Sequence, residues 1–330
     1  MPQGEKAVYA DLVSRQLAEA AHQLNRVADT LYFGGGTPSL LPVKSLAQII
    51  KAAQAGFGLR QAEITMEANP SSDLESYLKK AAQAGVNRLS VGLQSANKDE
   101  LELLGRQHTA AQCKQAVLAA KAAGIDNVSV DIMLALPNQT KQKLTETLHF
   151  VESLGVRHVS VYLLKIEADT PFARGKLPLP DEDAAADLYL TACEQLEQLG
   201  FAQYEISNFA QSGYESRHNL KYWQGEEYLG LGPSAHSYIN GNRFHFERDL
   251  EAYQTAPCPI MDGEGGSFEE KAMLQLRLVQ GLPVPPDGQM ARQAKRYEQA
   301  GLVEITQDRI RLTPKGFLVS NRLIAALLYG

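Results

Sequence analysis

The sequence predicts an α/β protein: a partial (β/α)6 barrel followed by a smaller C-terminal α+β domain. Three observations carry this. Six short strand segments alternate with helical segments between Thr30 and Ala210, the pattern of βαβ units around a parallel sheet. Helices there end on Gly85, Gly124, Gly155 and Gly200, residues suited to left-handed C-caps. From about residue 211 the alternation stops, and aromatic residues, glycine and histidine take over.

The chain opens on a helix over 5–27, where Val13, Leu17, Ala20, Leu24 and Val27 recur at spacings of three and four as one apolar stripe. "TLYFGGG" is the first strand and "PVKSLAQIIKAAQAGF" its helix. "AEITMEANP" follows, with a helix from Leu74 to Gly85. "NRLSVGLQS" leads into "KDELELLG" and "TAAQCKQAVLAAKAAG". "NVSVDIMLALP" leads into "KQKLTETLHFVESLG", and "RHVSVYLLKIE" into the long helix "DEDAAADLYLTACEQLEQLG". "AQYEISNFA" closes the series as one strand.

In such TIM-like barrels the chemistry sits at the C-terminal strand ends, and the unusual residues fall there. Gly34, Gly35, Gly36 and Thr37 end the first strand, Glu67 and Asn69 the second and Gln94 the third, while Asp131 lies within the fourth. Each alone reads as a turn or cap residue; four successive polar strand ends point to a shared ligand at the barrel mouth. Three consecutive glycines weaken a strand. They imply either unusual backbone angles or a close approach to the backbone.

Residues 1–210 are thus expected to form the barrel, 211–256 an aromatic extension containing "HNLKYW", and 257–330 a C-terminal domain. "PCPIMDGEGG" (257–266) reads as a linker. The strand pair around "TQD", then "LTPKG" and a final helix, resembles a winged helix, expected to act as a helical cap over the barrel.

Net charge is −6 and the pI about 5.7, which argues against a nucleic-acid binder with a broad basic surface. No apolar run reaches the roughly 18–20 residues of a membrane span, and the N-terminus lacks a signal-peptide core. A cytoplasmic protein is expected. Cys113, Cys193 and Cys258 are widely separated, without CxxC or Cys/His spacing, so neither zinc nor disulfides are indicated.

"YFGGGTPSLL", "EANP", "RLSVGLQS", "LLGRQHT" and "SVDIMLALPNQT", in this order, resemble the radical S-adenosylmethionine (SAM) superfamily. Within it the chain is similar to the group of oxygen-independent coproporphyrinogen III oxidase and the HemW-type heme chaperones, from about residue 28 to the C-terminus. The resemblance implies that Gly35, Gly36 and Thr37 line SAM, with the glycines admitting its methionyl part. It implies that Glu67 accepts hydrogen bonds from the ribose hydroxyls, that Gln94 and Asp131 orient the ligand, and that Arg106 meets its carboxylate. From the residues alone, Arg106 reads rather as a solvated charge at a helix end.

His218, Asn219, Tyr222 and Trp223 match the HNxxYW signature of the chaperone branch. The resemblance implies heme binding there, with imidazole as an axial ligand and aromatic rings beside the macrocycle. The plain alternative is a capping histidine beside packed aromatics. Nearby, "GLGPSAHSY" puts His236 and Ser237 after two glycines, with no role assigned.

The family's CxxxCxxC motif, whose thiolates hold a 4Fe–4S cluster, is absent from this sequence. Because the SAM-site residues stand intact, an N-terminally shortened chain is expected rather than a cluster-less relative, and radical chemistry is not expected of this chain as written. Three readings remain open: a heme chaperone delivering heme to acceptor proteins (membrane-associated respiratory ones among them), a coproporphyrinogen III oxidase, or a cluster-less small-ligand barrel. "HNLKYW" favours the first.

Overall fold

The structure is a computed structural model that describes residues 3–70, 74–167, 171–175, 177–255, 257–285 and 288–330. Helix α1 (Gln3–Leu24) precedes the first strand. The repeating units follow as β1 (Thr30–Phe33), α2 (Val43–Phe57), β2 (Glu63–Ala68), α3 (Leu74–Ala84) and β3 (Arg88–Gln94). Then come α4 (Lys98–Leu103), α5 (Ala110–Ala122), β4 (Asn127–Leu134), α6 (Lys141–Leu154) and β5 (His158–Leu163). After the short α7 (Pro171–Arg174) and the long α8 (Glu182–Gln198), two short strands, β6 (Ala202–Gln203) and β7 (Asn208–Ala210), complete one sheet of order β1-β2-β3-β4-β5-β7-β6.

β1 to β5 run parallel, with β1 at one edge. The closing segment is not one strand. It turns back on itself, and β7 pairs antiparallel with both β5 and β6. The buried Glu205 at this turn accepts from the Ser207 N–H, so a carboxylate interrupts what reads in sequence as a continuous run. α1 is also shorter than expected. Asn25 takes a positive φ of 48° after Leu24, leaving Val27 outside the helix and 78% exposed. Gly85, Gly124, Gly155 and Gly200 all adopt positive φ, as their place at helix ends demands.

The sheet's two faces differ in kind. One carries Ile64, Met66, Leu89, Val91, Val130 and Val161, buried against apolar residues of α2, α3, α5 and α6. The other is polar. Register aligns Tyr32 with Thr65 and Arg88, Glu67 with Ser90, Ser129 and His158, and Asp131 with Ser160. Strand residues alternate faces with period two, so one strand set supplies both an oily coat and a polar interior.

The extension holds α9 (Arg217–Gln224), β8 (His236–Ile239), β9 (Asn242–Phe246), α10 (Leu250–Thr255) and β10 (Pro259–Glu264). β10, β9 and β8 form an antiparallel sheet, so the segment 257–266 contains a paired strand rather than a linker. Phe246 on one face packs with Leu12 of α1 and Tyr253 of α10. The C-terminal part comprises α11 (Phe268–Gln275), β11 (Leu282–Pro283), α12 (Gln289–Glu298), β12 (Val303–Ile305), β13 (Arg309–Leu312), α13 (Pro314–Leu318) and α14 (Ser320–Tyr329). Its sheet has the order β11-β13-β12. Its core is continuous with that of the barrel, as a cap packed on the barrel requires.

Candidate functional site

β1, α1, the turn after β1 and α9 enclose a cleft of about 980 Å³. The floor is the glycine turn. Its three glycines have different causes. A Cβ on Gly34 would lie 2.7 Å from the Tyr32 ring, whereas Gly35 and Gly36 adopt φ of +80° and +63° with open space where a side chain would stand. Left-handed backbone costs an ordinary residue about 1–2 kcal/mol. The backbone of these two glycines therefore faces the cleft without a covering side chain.

Glu67 at the end of β2 holds this turn. One carboxylate oxygen accepts from the Tyr32 hydroxyl at 2.8 Å, the other from the Gly35 N–H at 3.1 Å. Asn69 donates to the Thr37 hydroxyl at 3.2 Å. Glu67, Gly35, Gly36 and Thr37 all line the cleft.

The same strand holds α9. Glu63, on the same face as Glu67, accepts from the Arg217 and His218 backbone N–H groups at 3.2 and 3.1 Å. A carboxylate at a helix N-terminus contributes up to about 2 kcal/mol when partly buried. Ser216 adds a hydroxyl cap to the Asn219 N–H. The two ends of β2 thus fix the glycine turn and the HNxxYW helix in one frame.

His218 sits between Thr30, whose hydroxyl is 2.9 Å from Nδ1, and Tyr222, whose hydroxyl is 2.9 Å from Nε2. Its ring stacks on Tyr32, with centroids 5.0 Å apart. Burial, reinforced by Lys221 and Arg88, pushes its pKa down to about 4. The imidazole is therefore neutral at physiological pH and keeps a lone pair available. With Thr30 accepting from Nδ1–H, that lone pair lies on Nε2, where Tyr222 donates. Burial raises the Tyr222 hydroxyl to about 12, which keeps it a neutral donor.

The helix separates the four signature residues. Positions 218 and 222 are one turn apart on one face, whereas 219 and 223 lie about 100° further round. His218 and Tyr222 line the cleft; Asn219 and Trp223 do not. The Arg277 guanidinium lies 5.8 Å from the Trp223 ring, and the indole bonds Glu205, whose carboxyl burial raises to about 7. Trp223 therefore couples α9 to the C-terminal part, on a different side of the helix from Tyr222.

The remaining expected residues lie outside the cleft wall. Asp131 accepts from Ser90 at 3.1 and 3.3 Å and also bonds Ser160; desolvation outweighs these bonds and raises it to about 6. Gln94 is buried at a bulge with φ of +68°, its amide 2.9 Å from where a Gly92 Cβ would stand. Arg106 is exposed after α4, and the neighbouring His108 anchors that turn by bonding the Leu93 carbonyl at 3.1 Å. Sequence reasoning missed Thr30, Tyr32 and Glu63, which position the site. The regular alternation of "EITMEA" was the available signal for Glu63.

Residues 5–151 match the Radical SAM superfamily and residues 268–319 the HemN C-terminal domain. The fold is that of coproporphyrinogen III oxidase (HemN) from Escherichia coli, a radical SAM enzyme, with a TM-score of 0.84 at 21% identity over 98% of this chain and 83% of that one. Fold and sequence together define a radical SAM protein.

The heme chaperone HemW of Synechocystis is 37% identical over 289 residues, covering 83% of this chain and 70% of that one. HemW of Mycobacterium tuberculosis is 35% identical over 313 residues, covering 91% and 80%. HemW of Bacillus subtilis is 33% identical over 324 residues, covering 91% and 85%. The chain belongs to the HemW family of radical SAM proteins.

The superfamily implies SAM and a 4Fe–4S cluster. The glycine turn and Glu67, with backbone open to the cleft, fit a small polar ligand such as SAM. The cysteines do not fit a cluster. Cys113 and Cys193 are buried on α5 and α8 and Cys258 is exposed, and among the described residues none belongs to a group of three metal-ligating side chains. Among the described residues no helix is long and apolar enough to cross a membrane.

Proposed function

We propose that this chain binds heme in the cleft beside α9 and passes it to acceptor proteins, with SAM at the glycine-turn end of the same cleft. The observation that carries this is the placement of His218 and Tyr222 opposite Glu67 and the glycine turn in one cavity. The volume suits a cofactor site. Its lining includes Leu229 and Leu231, apolar surface for a macrocycle, and the cations Lys6 and Arg248, available to propionates; Leu31 and Phe33 line it from the other face of β1, turned toward α1 and α2.

His218 Nε2 is the axial-ligand candidate, a neutral imidazole oriented through Nδ1 by Thr30. This is the partner arrangement that fixes a ligating histidine. Binding exchanges the Tyr222 hydrogen bond for iron. Glu67 offers carboxylate oxygens to the SAM ribose, and Thr37 closes the turn. Gln94, Asp131 and Arg106 serve SAM only indirectly, by shaping the strand ends around it. Nothing in this reading passes through a cluster on this chain.

Hemin titration tests it. Saturation at one heme per chain with a shifted Soret band supports the reading. An unshifted spectrum together with retention of a metal-free porphyrinogen favours the oxidase reading instead.

A further inference from the structure

The three-stranded sheet of the extension presents a second constellation on the face opposite Phe246. His236 of β8 and His245 of β9 are directly paired across the strands, their rings stacked with centroids 5.1 Å apart. On the adjoining strand, Ile260 pairs with His245, and two residues on, the register slips between Met261 and Gly263. Asp262 is the extra residue at this bulge. A bulge bends its strand and re-aims a side chain. Here it points the carboxylate at both imidazoles, 2.7 Å from His245 Nδ1 and 3.6 Å from His236 Nδ1.

We infer that His236, His245 and Asp262 form a site for a divalent transition-metal ion of the zinc type. The ligand atoms all lie within 4.8 Å of one another. A tetrahedral ion with bonds of about 2.0–2.1 Å holds neighbouring ligands about 3.3 Å apart. The observed separations bracket that value, so small side-chain rotations admit an ion between the three groups. Two neutral imidazoles and one carboxylate give an N2O donor set with one negative charge. That set suits zinc, cobalt(II) or nickel(II) better than calcium or magnesium, which prefer all-oxygen shells.

The nearest cation on this sheet, Arg243, is committed to Glu270 and to the Tyr228 hydroxyl, and so does not compete for Asp262. Three protein ligands leave a fourth position open. His236 also lines the cleft, so a bound ion sits at its rim. There it ties β10 to β8 and β9 and holds the His236 ring in one orientation.

The test is cobalt(II) titration of the whole chain, free of any histidine tag and of hemin, followed by d–d absorption and by thermal unfolding with and without zinc. One ion per chain is expected, with no thiolate-to-cobalt charge-transfer band and a higher melting temperature. His245→Ala and Asp262→Asn should each weaken cobalt binding at least tenfold and abolish the zinc-dependent shift. Asp262 is exposed and His245 half-buried, and the unfolding curve without metal reports whether each variant folds. Substoichiometric uptake, a thiolate band indicating Cys258, or affinity unchanged in both variants would overturn the assignment.

Discussion

The depressed basicity of His218 makes stability depend on pH in a calculable way. The folded pKa is about 4 against an ordinary 6.5, so the unfolded chain binds the extra proton throughout the interval between them. Stability from this residue is full above about pH 6.5 and is lost as pH falls toward 4. Near pH 5 the two protonation equilibria differ by a factor of about thirty, or about 2 kcal/mol. Asp131 and Glu205, both raised by burial, act in the opposite sense, and buried His158 in the same sense. The slope of the wild type alone is therefore not diagnostic. The assay is urea unfolding of the wild type and His218→Gln near pH 7.5 and pH 5. The wild type should lose about 2 kcal/mol more than the variant between the two, since the glutamine retains hydrogen-bonding capacity but does not titrate. Parallel pH dependence in the two proteins would refute the buried, neutral imidazole.

Other consequences follow from the same geometry. Asp131→Asn should stabilise the chain near pH 7.5 by up to about 3 kcal/mol, because the raised carboxyl is ionised there at a cost. That gain should vanish below about pH 4, and an unchanged melting temperature near neutrality would contradict it. Glu67→Ala leaves the part-buried Tyr32 hydroxyl without its acceptor, at about 1–3 kcal/mol, and releases the exposed Gly35 N–H to water. SAM affinity by equilibrium dialysis should fall at least tenfold, and undiminished binding would place SAM elsewhere. Trp223→Phe should leave hemin affinity unchanged within about twofold, since α9 turns this residue toward Arg277 and Glu205.

The architecture was legible wherever local chemistry decided it. Glycine at helix ends, the order of the strands and the capped helices all followed from residue type and period. Long-range relations were not. The 202–210 segment reads as one strand because its turn depends on burying Glu205, a tertiary effect. The 257–266 segment reads as a linker because proline and glycine dominate it, yet pairing with β9 makes it a strand.

In the site, the glycine turn, Glu67, His218 and Tyr222 were visible as motifs. Trp223 was grouped with them although helical spacing already puts it on another face. Glu63 carries no motif, and Tyr32 stands in the glycine motif with no role of its own there. They matter through the register that places β2 between the glycine turn and α9, and only the alternation of polar residues along the strands hinted at it. His236, His245 and Asp262 meet only because a bulge turns Asp262, which no period in the sequence reveals.

The most direct measurement of the central claim is the Soret and electron paramagnetic resonance spectrum of the hemin complex for wild type, His218→Ala and His236→Ala, with and without added imidazole. A histidine-ligated spectrum is expected in wild type and His236→Ala. In His218→Ala it should be lost and then restored by exogenous imidazole filling the space between Thr30 and Tyr222. A ligation spectrum that survives in His218→Ala and disappears in His236→Ala would move the heme site to the edge of the β8–β9 sheet and contradict the account.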